Sequence, residues 1–343
     1  MYVGDVNGQQ CCISQFAPNA SICMTGISGS GKTVRMQKIE LDCVQNGATV
    51  IVFDLNQTHT ESQIFAPIYE AYNLNINRIE AIKDGINLSF LTAIQGAQGE
   101  QESFVSLVNS AVNALTAGQN MGLQQIGVLR NAVMNAVKNR SHFQTDVEAI
   151  AYFLLQDDDA RANAVYQRLW TVLNSGVLRP SKKAIQYGRI NILDFSMLDT
   201  FTKSTLVEIV LSAIWRNTII RGTETIGTEI ILALDEFQLL SWHKSAVMRD
   251  ILREGRRFGI KVVMATQTLE VFPKEVVSLL NQMANRLVFR PPASEICRLA
   301  KIIDPKKFEM WSDQLSNLHI GESIGLGDFN VGGREVRHPI KLT

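Results

Sequence analysis

The stretch that decides the fold, Ala20–Thr33, reads ASICMTGISGSGKT. Its first part is apolar and of strand length, and its second part, Gly26–Thr33, places two glycines, a lysine and a hydroxyl residue at a fixed spacing. A helical pattern follows over Thr33–Asn46, and Gly47 is a typical helix stop. The next run, ATVIVFDL, is continuously apolar, as in parallel strands that are covered on both faces. Residues 20–55 therefore predict a strand–loop–helix–strand unit.

The segment GISGSGKT has the P-loop pattern, in which each residue type has a physical role. Glycines let backbone N–H groups curl around phosphates, and the positive end of the following helix faces the same anion. Lys32 is predicted to reach the β and γ phosphates, and the Thr33 hydroxyl is predicted to bind Mg²⁺. We predict a bound nucleotide here, and its binding residues are Gly26, Ser28, Gly29, Ser30, Gly31, Lys32 and Thr33.

A second candidate site lies at the end of EIILALDE, an apolar strand that finishes in two acids, Asp235 and Glu236. Asp235 suits the outer-sphere Mg²⁺ contact of a Walker B strand, which makes Thr33 and Asp235 the candidate metal residues. Glu236 is placed to polarise a water against the γ-phosphate as a general base. Acids at this position also serve as ordinary N-terminal charges of a following helix. The P-loop upstream favours the Walker B interpretation.

Length and composition describe a globular chain of 343 residues, with 46% hydrophobic and 19% charged residues. No apolar run approaches the roughly 18 residues that span a bilayer, and the amino terminus lacks the pattern of a signal peptide. Five cysteines without metal-like spacing indicate reduced thiols, so we expect a cytoplasmic protein. The net charge of zero gives no support to nucleic-acid binding and does not exclude it.

The remaining chain predicts one α/β domain over residues 1–343 with a helical insertion at residues 97–182. Apolar residues recur three and four apart within the insertion. Strand patterns resume at GRINILDF, EIILALD, IKVVMAT and NRLVF with helices between them, which predicts a three-layer, mostly parallel sheet. We expect two edge strands joined by NVGG in the tail from Ile320 to Thr343. Asp54 is either a second acid near the nucleotide or a turn cap.

The P-loop, the Asp–Glu pair and the later segment REGRRFGIKVVMATQ together resemble the HerA–FtsK superfamily of DNA-pumping ATPases. The resemblance is greatest to the HerA-like branch, with conjugative coupling proteins and type IV secretion ATPases as relatives. It implies an additional-strand P-loop fold similar to RecA, assembled as a hexameric ring with ATP and Mg²⁺ at subunit interfaces. HerA-like enzymes usually carry an N-terminal β-barrel domain, which the twenty-five residues before the P-loop cannot supply. We therefore expect a motor that works without this domain or one that relies on a separate partner protein.

The resemblance also implies roles for residues of the REGRRFGIKVVMATQ segment. Gln267 corresponds to the polar sensor at the end of the strand beside Walker B. Arg256 is the first candidate for an arginine finger that reaches a neighbouring subunit's nucleotide, followed by Arg257 and Arg290. A surface salt bridge is the alternative role for any one of these arginines.

The leading functional hypothesis is an ATP-hydrolysing ring that translocates double-stranded DNA. A second hypothesis is a conjugative or type IV secretion ATPase that moves a protein or a protein–DNA cargo. A third is a nucleotide-gated ring scaffold that recruits a nuclease or another effector in defence. Each requires the nucleotide site, and they differ in whether hydrolysis and DNA are needed.

Overall fold

The computed structural model describes residues 1–60 and 76–343. The helices are α1 (Lys32–Gln45), α2 (Ala81–Asp84), α3 (Phe104–Thr116), α4 (Leu123–Lys138), α5 (Asp146–Leu155), α6 (Ala160–Asn174), α7 (Thr200–Ile226), α8 (Val247–Glu254), α9 (Lys274–Asn281), α10 (Ala293–Ile303) and α11 (Phe308–Ser316). The strands are β1 (Tyr2–Val6), β2 (Gln9–Ile13), β3 (Ile22–Thr25), β4 (Thr49–Asp54), β5 (Asn77–Glu80), β6 (Ile190–Asp194), β7 (Ile230–Asp235), β8 (Ile260–Thr266), β9 (Asn285–Phe289), β10 (Ser323–Leu326), β11 (Phe329–Val331), β12 (Arg334–Val336) and β13 (Ile340–Leu342).

Within the described residues, the central sheet has nine strands in the order β13-β10-β9-β3-β8-β7-β4-β6-β5. The strands from β9 to β5 are parallel, and β10 is antiparallel to both of its neighbours. β8 lies between the strand that precedes the P-loop, β3, and the strand that ends in the acid pair, β7. This order confirms the predicted additional-strand, RecA-like P-loop fold.

The continuous apolar strands form because both faces of the sheet are covered. In β7, Leu232 and Leu234 belong to one buried core, and the intervening Ile231 and Ala233 belong to the core on the opposite face. Fully burying one such aliphatic side chain contributes about 1.5 to 3 kcal/mol. The first core includes α7 and the inserted helices, and the second includes α1. The sheet is therefore the middle of three layers.

The amphipathic patterns predicted as an insertion form the helices α3 to α6, which lie between β5 and β6 in chain order. Asp146, at the start of α5, is 3% exposed and accepts hydrogen bonds from the backbone N–H groups of Phe90 (2.6 Å) and Leu91 (2.9 Å). Arg140 pairs with the same carboxylate. These contacts attach the inserted helices to the segment that follows α2. The domain bounds 1–343 and 97–182 remain predictions.

The predicted pair of strands in the tail is present as β11 and β12, but the tail also contains β10 and β13, and the four strands are divided between two sheets. β10 and β13 extend the central sheet, whereas β11 and β12 pair with β1 and β2 in a separate antiparallel sheet. Gly327 has φ 154° and packs where a Cβ would lie 2.6 Å from Asn285 Oδ1. A glycine here lets the chain leave the central sheet after β10. The predicted NVGG turn is present and joins β11 to β12.

Among the described residues, no helix combines the length and the apolar character needed to cross a membrane.

Candidate active site

The P-loop connects the end of β3 to the start of α1, and its glycines are required by its shape. Gly31 has φ 101°, and a Cβ there would lie 2.8 Å from the backbone N of Gly321. A Cβ on Gly26 would lie 2.7 Å from Cβ of Phe289. The Gly321 N–H donates to Ser30 O at 2.9 Å. A loop near the carboxyl end of the chain therefore packs against the P-loop and is hydrogen-bonded to it.

Lys32 is a cation of the site, and its side chain folds back over the loop. Its Nζ donates to the carbonyl oxygens of Gly26 (2.7 Å) and Ile27 (3.0 Å). Burial lowers the pKa of the Lys32 ammonium, while the nearby carboxylates of Asp235 and Glu236 act in the opposite direction. A bound polyphosphate would supply the counter-charge that favours the ammonium form.

The two residues predicted to bind the metal ion contact each other at the carboxyl end of β7. Thr33 Oγ1 donates to Asp235 Oδ2 at 2.6 Å. Asp235 is 5% exposed. Burial raises the pKa of its carboxyl group, and the Thr33 hydrogen bond partly opposes that rise. A hydroxyl and a carboxylate that converge beside a phosphate loop are the oxygen donors that Mg²⁺ prefers. The donor set therefore fits a magnesium ion.

Glu236 occupies a left-handed backbone conformation, with φ 58° and ψ 47°, directly after β7. This conformation is uncommon outside glycine and costs roughly 1 kcal/mol or more. Both carboxylate oxygens of Glu236 accept hydrogen bonds from side-chain amides. Gln267 Nε2 donates to Oε1 at 2.9 Å, and Asn56 Nδ2 donates to Oε2 at 2.5 Å. The predicted sensor Gln267 thus contacts the predicted base directly.

Asn56 is a candidate site residue that the sequence analysis missed. It follows β4, which pairs with β7 in the sheet, so Asn56 and Glu236 end neighbouring parallel strands. The pairing of β4 with β7 brings together residues 180 positions apart. The signal in the sequence was only a polar residue shortly after an apolar strand, a feature shared by many turns.

The loop that carries Asn56 is held by a buried polar network. Asp54 is fully buried, and its carboxylate accepts from the backbone N–H groups of Thr58 (2.9 Å) and His59 (3.0 Å). The turn-cap role left open for Asp54 is therefore its role here. His59 Nε2 lies 3.2 Å from both carboxylate oxygens of Glu40 on α1, and both side chains are fully buried.

The protonation of His59 reflects this surrounding charge. Burial acts to lower the pKa of His59, but Glu40 and the more distant acids Asp54 and Asp235 outweigh it, so the net pKa is raised. The contact between His59 and Glu40 fixes the loop to the helix that begins at the P-loop. The position of Asn56 against Glu236 consequently depends on α1.

The three candidate arginines lie at opposite edges of the sheet. Arg256 and Arg257 are exposed in the turn before β8, which is seven residues long, or roughly 23 Å. Within one subunit, Arg256 therefore lies far from Gln267 at the other end of the same strand. The Arg257 guanidinium lies over the Phe258 ring, 5.5 Å from its centroid. Arg290 follows β9 beside its own P-loop, where its carbonyl accepts from the Ile27 N–H at 2.8 Å.

We predict that Asn56→Ala lowers the maximal rate of ATP hydrolysis roughly tenfold, because Glu236 loses one of the two amides that orient it. The Michaelis constant for ATP should change little, since Asn56 does not belong to the phosphate loop. Steady-state kinetics of the purified variant measure both quantities. Gln57→Ala is a matched control in the same loop, because the Gln57 side chain contacts the Met197 sulfur at 3.6 Å rather than Glu236. A faster rate in Asn56→Ala would show that Asn56 restrains the base instead.

Comparison with solved structures tests the fold independently of these contacts. VirB4 of Thermoanaerobacter pseudethanolicus superposes with a TM-score of 0.73 at 16% identity, over 100% of this chain and 96% of that one. The unbound conjugative coupling protein TrwB superposes with a TM-score of 0.65 at 13% identity, over 99% of this chain and 87% of that one. The chain therefore shares the fold of VirB4 and TrwB. The resemblance predicted from the sequence is confirmed at the level of the fold.

TrwB in complex with ADP and Mg²⁺ has the same fold, with a TM-score of 0.62 at 13% identity, over 94% of this chain and 84% of that one. No protein-family model matches the chain, and no curated protein matches it by sequence. The similarity therefore lies in the three-dimensional arrangement far more than in the sequence.

Proposed function

We propose that this protein is an ATP-hydrolysing, ring-forming motor that translocates double-stranded DNA. The observation that carries the proposal is the Glu236 carboxylate, held by Gln267 and Asn56 at the edge of the sheet where the P-loop ends. Lys32 and the Thr33–Asp235 pair lie at the same edge. This is the set of groups that phosphoryl transfer to water needs.

In the proposed reaction, the backbone N–H groups of the P-loop and Lys32 hold the polyphosphate. Thr33 and Asp235 hold Mg²⁺, which when bound neutralises charge on the β and γ phosphates. Glu236 accepts a proton from the attacking water, and the amides of Gln267 and Asn56 keep its carboxylate directed toward that water. The structures of TrwB in complex with ADP and Mg²⁺ and with a non-hydrolysable ATP analogue support these ligands.

We propose that the chain acts as a homo-oligomeric ring, a hexamer by analogy with the resembled family. The position of Arg256 supports a role in trans, because the length of β8 separates it from the nucleotide edge of its own subunit. Residues 1–343 would form one ATPase domain that includes the insertion 97–182. We propose the cytoplasm as its compartment, and the five unpaired cysteines support that assignment.

Two alternatives share this site. The similarity to TrwB, a bacterial conjugative coupling protein, favours a conjugative or type IV secretion ATPase that moves protein or protein–DNA cargo. A nucleotide-gated scaffold that recruits a nuclease or an adaptor would need ATP binding but not hydrolysis. Glu236→Gln should preserve the biological output of a scaffold and abolish that of either motor.

We expect the purified protein to hydrolyse ATP only with Mg²⁺, and duplex DNA to raise the rate several-fold, because a translocase couples hydrolysis to its cargo. Measuring ATPase activity with and without duplex DNA tests this, alongside particle imaging for ring symmetry. Lys32→Ala is the control that removes nucleotide-dependent activity. Hydrolysis that duplex DNA leaves unchanged would favour the secretion alternative, and no Lys32-dependent hydrolysis would contradict the ATPase proposal.

A further inference from the structure

A cleft of about 550 Å³ lies between the inserted helices and the loop that follows Walker B. We call it the insertion cleft. One wall is formed by the end of α3, the turn after it and the start of α4, and the other is formed by His243 and Ser245. Both walls belong to elements outside the nucleotide site. The volume of the cleft exceeds that of a single phosphate group, so it has room for a segment of an extended polyanion.

The side chains of the insertion cleft favour an anion. Arg130 and His243 are exposed there, and Asn113 and Asn120 add amide donors. Of the described residues that line the cleft, none is an aspartate or a glutamate. Among the ion pairs recorded in the described parts of the chain, none involves Arg130. An arginine without a carboxylate partner retains its full hydrogen-bonding capacity for an oxyanion.

A second feature of the cleft is an unpaired amide donor. Gln119 lines the cleft and is 9% exposed, and its buried Nε2 has no hydrogen-bond partner among the described residues. Because a buried unpaired donor is destabilising, a rotation of the Gln119 side chain that turns Nε2 toward the cleft would let a ligand oxygen satisfy it. The N-terminus of α4 begins at Gly122 on the same wall and adds the positive end of a 16-residue helix.

We propose that the insertion cleft binds backbone phosphates of duplex DNA. This inference rests on the proposed function, which supplies DNA as the cargo. The wall residue His243 belongs to the loop that begins at Glu236. Within that loop, Trp242 Nε1 donates to Phe237 O at 3.1 Å, and the two rings pack with centroids 5.6 Å apart. A phosphate bound at His243 is therefore connected to the catalytic glutamate through this packed pair.

The test measures binding of the full chain to a short DNA duplex with a non-hydrolysable ATP analogue filling the P-loop. Arg130→Gln is expected to weaken binding roughly fivefold and to reduce the slope of log K against log salt by about 0.9, as for the loss of one phosphate contact. Arg161→Gln is the matched control, since Arg161 is an exposed arginine of the same insertion and pairs with Asp159 outside the cleft. His243→Gln should reduce binding in the same direction as Arg130→Gln.

Two further measurements identify which anion binds the cleft. They also distinguish a failure of the cleft inference from a failure of the proposed DNA motor. Inorganic phosphate is titrated under the same conditions, and oligoglutamate is used as a competitor. If DNA binds equally to Arg130→Gln and Arg161→Gln, the cleft inference is overturned while the DNA motor stands. If DNA does not bind at all but inorganic phosphate binds in an Arg130-dependent manner, the oxyanion site is supported and the DNA cargo is not. Arg130-dependent binding of oligoglutamate in preference to DNA would assign the cleft to an acidic protein and overturn the inference.

Discussion

Glu236→Gln is expected to leave nucleotide binding intact and to lower the rate of ATP hydrolysis roughly 100-fold to 10,000-fold. The substitution keeps the size of the side chain but removes the carboxylate that accepts the proton of the attacking water, and general-base catalysis contributes about that factor. Gln267 and Asn56 would then face a neutral amide. Single-turnover hydrolysis and equilibrium binding of a fluorescent ATP analogue, measured on the same preparation, separate chemistry from binding.

Glu229, at the opposite end of β7 from Glu236, offers a control substitution. Glu229 immediately precedes β7, is exposed and pairs with Lys261 at 2.6 Å. Glu229→Gln also removes one negative charge, but at the end of β7 away from the nucleotide site, so it should retain nearly the full rate of ATP hydrolysis. If Glu236→Gln hydrolyses ATP at close to the wild-type rate, Glu236 is not the base, and the assignment of Asp235–Glu236 as a catalytic pair fails with it.

Glu40→Gln is expected to lower the free energy of unfolding by about 3 to 5 kcal/mol at pH 6, because it breaks a fully buried ion pair and leaves His59 without its counter-ion. The raised pKa of His59 fixes the sign of the pH dependence. The contribution of the pair is complete below the unfolded-state pKa of about 6.5 and is lost as the pH rises through the higher folded-state value. The difference between wild type and variant should therefore narrow as the pH increases.

Urea unfolding of both proteins at a series of pH values measures this effect. Glu80→Gln is the matched control, since Glu80 forms an exposed pair with Lys83 at 3.2 Å and should change the free energy of unfolding by less than about 1 kcal/mol. A difference that is constant with pH would show that the His59 charge does not contribute. Reduced ATPase activity in Glu40→Gln at temperatures where it remains folded would connect the buried pair to the loop that positions Asn56.

The sequence by itself determined the parts of this protein that depend on local chemistry. The glycines of GISGSGKT adopt positive φ angles that other residues rarely take, so the motif identified the loop directly. The continuous apolar strands identified the covered sheet, because hydrophobic burial on both faces needs that pattern. Gln267 was found through resemblance to a family, and the structure places its amide 2.9 Å from Glu236.

Only the tertiary structure decided which distant residues meet. Asn56 contacts Glu236 because β4 pairs with β7, and strand order is a non-local choice that the pattern of either strand leaves open. The tail was divided between two sheets because Gly327 redirects the chain after β10, and hydrogen-bond partners far away in the sequence were available on both sides. The buried His59 lies against Glu40, nineteen positions earlier, and the Glu40 carboxylate raises the pKa of the imidazole. Local sequence specified the phosphate loop, and long-range packing specified the residues that hold its catalytic base.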